Sequence, residues 1–99
     1  MKVFFRYANH EGNHVGQLDL SSRVDDLNTV AKELTQHISN LENQVIWFAM
    51  LSSANPSIEQ GQYFCEPEEA KDFSPPTIEQ ISFSLDEKEW HHIPLMKHP

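Results

Sequence analysis

The sequence predicts an α+β fold: a mostly antiparallel sheet with one long amphipathic helix packed on one face. Three observations carry that prediction. Apolar residues alternate along both ends of the chain, at 2–8 and 77–85, as half-buried strands require. Between them, residues 24–41 place apolar side chains three and four apart, the spacing of a helix stripe. After the helix, Val45-Ile46-Trp47-Phe48-Ala49-Met50-Leu51 is a seven-residue apolar run, which suits a strand covered on both faces.

In chain order, Lys2 to Ala8 reads as a strand with Val3, Phe5 and Tyr7 on one face. Asn9 to His14 is turn chemistry, with Gly12 and Asn13 free to take positive φ. Val15 to Leu20 then returns. Together they predict a hairpin with a loop slightly longer than the tightest kind. Ser22 and Asp25 resemble a capping box, and Asp25 and Asp26 favour the helix dipole. The helix is expected over about 23–41, roughly 28 Å, with Val24, Leu27, Val30, Ala31, Leu34, Ile38 and Leu41 inward. Asn43 can cap it in the left-handed conformation. The run 45–51 is expected as the central strand. Asn55-Pro56 follows it as a turn, and Gln62-Tyr63-Phe64-Cys65 reads as a short strand. Pro67 to Phe73 reads as a helical turn opened by proline. Thr77–Leu85 and Glu89–Ile93 form a second, C-terminal hairpin around Asp86-Glu87-Lys88.

The chain has 99 residues, which fits one small domain over 1–99. No stretch approaches the ~20 apolar residues of a membrane span, so no membrane association is expected. The N-terminus lacks the apolar core of a signal peptide, since Arg6 interrupts it. A single cysteine, Cys65, allows no internal disulfide. These features point to a reducing, cytoplasmic setting.

The net charge of −8 is unevenly spread. From Pro56 to Trp90 there are nine acids against Lys71 and Lys88, whereas the first 20 residues are balanced. Direct nucleic-acid binding is disfavoured, because phosphate contacts need clustered Lys and Arg. A basic protein partner is allowed.

Motifs for chemistry are sparse, and no cofactor is implied. His10 and His14 flank the first turn, and His91 and His92 adjoin near the C-terminus. If the two hairpins meet, these imidazoles could gather as zinc ligands. Adjacent strand residues point to opposite faces, however, which favours solvated edge histidines. Glu66, Glu68 and Glu69 follow Cys65 at once, and nearby anions disfavour its thiolate. The pairs Asp25/Asp26 and Glu68/Glu69 are better explained as helix-start residues than as acid–base pairs.

The acidic C-terminal half is the most informative feature. Glu66, Glu68, Glu69 and Asp72 alternate with aromatics that include Tyr63, Phe64, Phe73 and Trp90, a composition closer to an interface than to random surface. In composition alone, with no shared motif, the chain resembles immunity proteins of toxin systems and phage-encoded inhibitors of host defence. Such a likeness implies a small acidic non-catalytic protein that inhibits or adapts a basic partner. The expected anchors are Glu66, Glu68, Glu69, Asp72, Tyr63, Phe73 and Trp90. Two alternatives stay open: a metal-dependent enzyme or metal-binding module built on His10, His14, His91 and His92, and a small-ligand-binding dimer. The uncovered second face of strand 45–51 is the sequence feature that points to a homodimer.

Overall fold

Strand β1 (Lys2–Asn9) and strand β2 (Gly12–Asp19) pair antiparallel, in unbroken register from Lys2↔Asp19 to Asn9↔Gly12. The computed structural model describes residues 1–20, 27–49, 62–69, 72 and 77–95. His10 and Glu11 make the whole connection of this first hairpin, so the loop is tighter than the sequence predicts. Asn9 explains the tightness: its Oδ1 accepts the Glu11 N–H at 2.8 Å, an Asx turn. Neither turn residue takes positive φ, and Gly12 takes up the reversal at φ +123°.

Helix α1 is described over Leu27–Glu42, 16 residues, and ends one residue beyond the expected Leu41. The proposed capping box and the pair Asp25/Asp26 fall on 21–26, outside the described residues. Val30, Ala31, Leu34 and Ile38 are buried as the stripe requires. Leu41, expected inward, is exposed, whereas Thr35 and Ser39 are wholly buried. The reason lies in what covers the last turns. Ser39 Oγ donates to Gln44 O at 2.6 Å and lies 3.4 Å from Cys65 O, so this end of the helix turns its polar side to the neighbouring backbone. Asn43 takes the left-handed conformation, φ 56°, as its sequence predicts. The Gln44 N–H returns to Ser39 O at 3.3 Å, closing the helix with a Schellman-type bond.

Strands β3 (Ile46–Ala49), β4 (Gln62–Cys65), β5 (Glu79–Ser84) and β6 (His91–Ile93) complete the described elements. The main sheet has the order β2-β1-β5-β6, and β3-β4 is a separate antiparallel ladder. The expected central strand therefore forms, but β1 and β5 hold the centre of the main sheet. An unbroken apolar run reports cover on both faces, not position in a sheet. Ile46 and Phe48 face the core, and on the other face the Trp47 ring packs on Phe64 with centroids 5.0 Å apart. A single bridge, Phe48↔Leu95, with the bond from Ala49 N to Pro94 O at 2.9 Å, joins the ladder to the end of β6.

One core cluster unites the elements. Val3, Phe5 and Tyr7 of β1 meet Ile81 and Phe83 of β5, Ile93 of β6, Ile46 and Phe48 of β3 and the α1 stripe. His37 of α1 sets its ring edge-on to Phe5 at 5.8 Å, which places the helix on this face of the sheet. The alternation predicted for 77–85 is interrupted by a bulge. Between Arg6↔Ser82 and Ala8↔Glu79 strand β5 carries one extra residue, and Gln80 absorbs it at φ 59°.

Candidate functional site

The acidic segment sits on the solvent side of α1. Two helix amides and the cap residue Asn43 hold its backbone. Gln36 Nε2 donates to Glu66 O at 2.7 Å, Asn40 Oδ1 accepts the Glu68 N–H at 3.0 Å, and Asn43 Nδ2 donates to Asp72 O at 2.6 Å. Glu68 and Glu69 form a bend, not the helical turn expected from Pro67. Glu66, Glu68, Glu69 and Asp72 are all exposed. Among the described residues no ion pair engages their carboxylates. Two shallow hollows flank the segment. One, of about 480 Å³, lies between Gln36 of the helix and Phe64, Cys65 and Glu68. The other, of about 360 Å³, is lined by Asn40, Asn43, Pro67, Glu68 and Glu69.

Of the aromatic anchors predicted beside these acids, Trp90 is placed elsewhere. Trp90 lies across the main sheet from α1: the Arg6 guanidinium stacks on its ring at 4.2 Å, and Arg6 points away from the face that buries Val3, Phe5 and Tyr7. Tyr63 is a β4 residue paired with Phe48, and Phe73 lies outside the described residues. Among the described side chains, Phe64 is the aromatic that borders the acids. Its ring is 55% exposed and is held from behind by Trp47.

The four candidate metal ligands do not gather. His14 is on β2 and His91 and His92 are on β6, the opposite edge strands of the main sheet, three strand spacings or about 14 Å apart. Zinc ligands must all lie about 2 Å from one ion. His10 Nδ1 is 3.3 Å from Thr77 Oγ1, and its Nε2 is 3.7 Å from Glu11. The His91 ring packs on Phe83 at 5.3 Å, and His92 Nδ1 lies 2.8 Å from Ser82 Oγ. Among the described residues no three His, Cys, Asp or Glu side chains are grouped to hold a metal.

Cys65 is buried, and burial pushes its thiol up to about 11 against a smaller, opposing pull from Lys32. The sequence attributes the poor thiolate to neighbouring acids; the structure attributes it to desolvation instead.

Sequence reasoning missed a polar cluster where the first hairpin meets the end of α1. Tyr7 Oη donates to Glu42 Oε2 at 3.1 Å, and the Asn9 amide donates to the other Glu42 oxygen. Asn9 Oδ1 lies 2.9 Å from His14 Nε2. Because the Asn9 nitrogen serves Glu42, its oxygen faces His14, and Nε2 of His14 must be the donor. The His14 ring stacks on Tyr7 at 5.1 Å. Beside this cluster the buried Gln44 grips Thr77 twice, with Nε2 to Oγ1 at 3.0 Å and Oε1 from the Thr77 N–H at 2.9 Å. Apart from Asn9 and His14, the partners lie 33 to 35 positions apart, so no local pattern announces them. Every member is satisfied by another, which is the signature of a structural clasp.

No protein-family model matches the chain, and neither a curated protein nor a solved structure matches it.

Proposed function

We propose that the chain is a non-catalytic binding protein for a basic protein partner, engaged through the segment from Phe64 to Asp72. One observation carries this reading: Gln36 and Asn40 of α1 and its cap residue Asn43 hold the backbone at Glu66, Glu68 and Asp72, while the four carboxylates stay exposed. An ordered backbone lowers the entropy cost of binding. Unpaired carboxylates are free to meet cations and to steer their approach. Phe64, exposed and rigidly backed by Trp47, supplies an apolar anchor beside Glu68.

The test is a parallel capture from the native host with wild-type protein and with Glu68→Lys/Glu69→Lys, followed by mass spectrometry. The expected partner is basic, is held by wild type at low salt, and associates about tenfold more slowly with the charge-reversed protein. Phe64→Ala should speed dissociation without unfolding the chain. A partner that both proteins hold equally, with no dependence on salt, removes this reading.

A further inference from the structure

Strand β2 has a free edge, and its chemistry selects what can pair with it. Among the described residues β2 bonds in the main sheet only to β1. Leu20 N donates to Met1 O at 2.8 Å and Met1 N to Leu20 O at 3.1 Å, so this pair exchanges both bonds. Antiparallel ladders alternate bonded and non-bonded pairs. By that alternation the even-numbered residues of β2 bond to β1, and Asn13, Val15, Gln17 and Asp19 turn their N–H and C=O groups to the open side. Eight residues are a long edge, and natural edges of this kind are blunted by proline, lysine or a bulge. Strand β2 has neither residue, and its register with β1 is unbroken. At its middle, Val15 is 81% exposed, the most exposed of the large apolar side chains described.

The electrostatics match a like partner. In a chain of net charge −8, the first 20 residues set Lys2 and Arg6 against Glu11 and Asp19. Two copies that meet at this hairpin bring together segments of no net charge, instead of their acidic halves, with Lys2 and Arg6 on the adjacent β1 offsetting Glu11 and Asp19.

We propose that β2 pairs antiparallel with β2 of a second copy, about a two-fold axis at Val15. That register sets Val15 against Val15 of the other copy and Asn13 against Gln17. It pairs the open donors and acceptors through about six hydrogen bonds. It continues the four-stranded sheet across the axis, with both helices on the same side. Only this centre buries the exposed valine against an apolar neighbour; shifting the axis to Gly16 places Val15 against Gln17. The interface is separate from the Phe64–Asp72 segment, so it stands or falls independently of the partner proposed above.

Sedimentation equilibrium tests it, together with amide exchange at two protein concentrations. The expected result is a reversible dimer, with exchange at Val15 and Gln17 slowing as concentration rises and exchange at His14 and Gly16 unchanged. Val15→Pro removes an open-edge N–H that β1 does not use, and should weaken the dimer at least tenfold. If that variant fails to fold, Val15→Lys keeps every backbone donor, sets two ammonium groups face to face at the axis, and should weaken the dimer as much. A monomer at about 1 mM, or a Val15→Lys dimer as tight as wild type, overturns the proposal.

Discussion

Gly16 shows how one missing atom shapes the first hairpin. It stands opposite Phe5 in the ladder, and the tip of the buried Phe5 ring lies against it. A Cβ built on Gly16 would sit 2.6 Å from Phe5 Cζ, far inside van der Waals contact. The aromatic ring covers the space a side chain would fill, and in doing so reaches His37 of the helix. Gly16→Ala should therefore displace the ring and cost about 1–3 kcal/mol. Thermal melting reads this as a fall in Tm of roughly 4–8 °C for each kcal/mol lost. An unchanged Tm would mean that Phe5 moves aside freely. A glycine within an alternating strand says in the sequence that something approaches closely; that the something is Phe5 depends on register.

Local elements whose chemistry is contained within a few residues were the most legible. Asn43 as the left-handed cap of α1 and Asp86-Glu87-Lys88 as the turn between β5 and β6 follow from residue type and spacing alone. The structure shows why Asp86 suits its place. Its Oδ1 accepts the Glu89 N–H at 3.0 Å, the Lys88 N–H at 2.8 Å and the Ser84 hydroxyl at 3.0 Å. These donors, the Glu89 N–H foremost, hold the Asp86 carboxyl below its usual range. A depressed folded pKa adds stability above the unfolded value near 3.8, and that stability is lost as pH falls through the folded value. Asp86→Ala should lower Tm at pH 7 and bring the two proteins together in strong acid, as a pair of thermal melts across pH 2–7 would record. The ends of α1 and β5 were less legible. Leu41 and Leu85 fit their periodic patterns yet are exposed, because each pattern outlasts the neighbour that would cover it.

Long-range contacts set the behaviour of the whole molecule. The bonds from Tyr7 and Asn9 to Glu42 tie the first hairpin to the end of the helix. Burial first, then the Glu42 hydrogen bond and charge, push the Tyr7 hydroxyl up to about 12 from a value near 10. Between those values the folded chain holds a proton that the unfolded chain has released, so stability falls as pH rises. The contribution is complete below pH 10 and gone by about pH 12. Cys65 acts in the same sense between about 9 and about 11. Glu42→Gln should bring the Tyr7 value down toward 10 and make the fall of the urea midpoint between pH 10 and 12 shallower. Absorbance titration at 295 nm, with Tyr7→Phe as the blank for Tyr63, checks the first part. A Tyr7 titration unmoved by Glu42→Gln would leave burial, with the Glu11 charge, as the cause.

Periodicity and turn chemistry were enough to establish the α+β class, both hairpins, the helix stripe and the short strand at 62–65, because each depends on neighbours along the chain. The order of the strands was not readable there. The run 45–51 announces an apolar strand, and only the packed chain reveals that its described part, Ile46–Ala49, pairs with β4 and is bridged to the end of β6 instead of joining the main sheet. The candidate site divided along the same line. The charge of Glu66, Glu68, Glu69 and Asp72 is a property of composition, visible at once. Which aromatic stands beside them is a property of the fold: Trp90 goes to the far side of the sheet with Arg6, and Phe64 takes the place by the acids. Side-chain pairing across 30 or more residues depends on register and layer order, and the spacing of residues along the chain encodes neither.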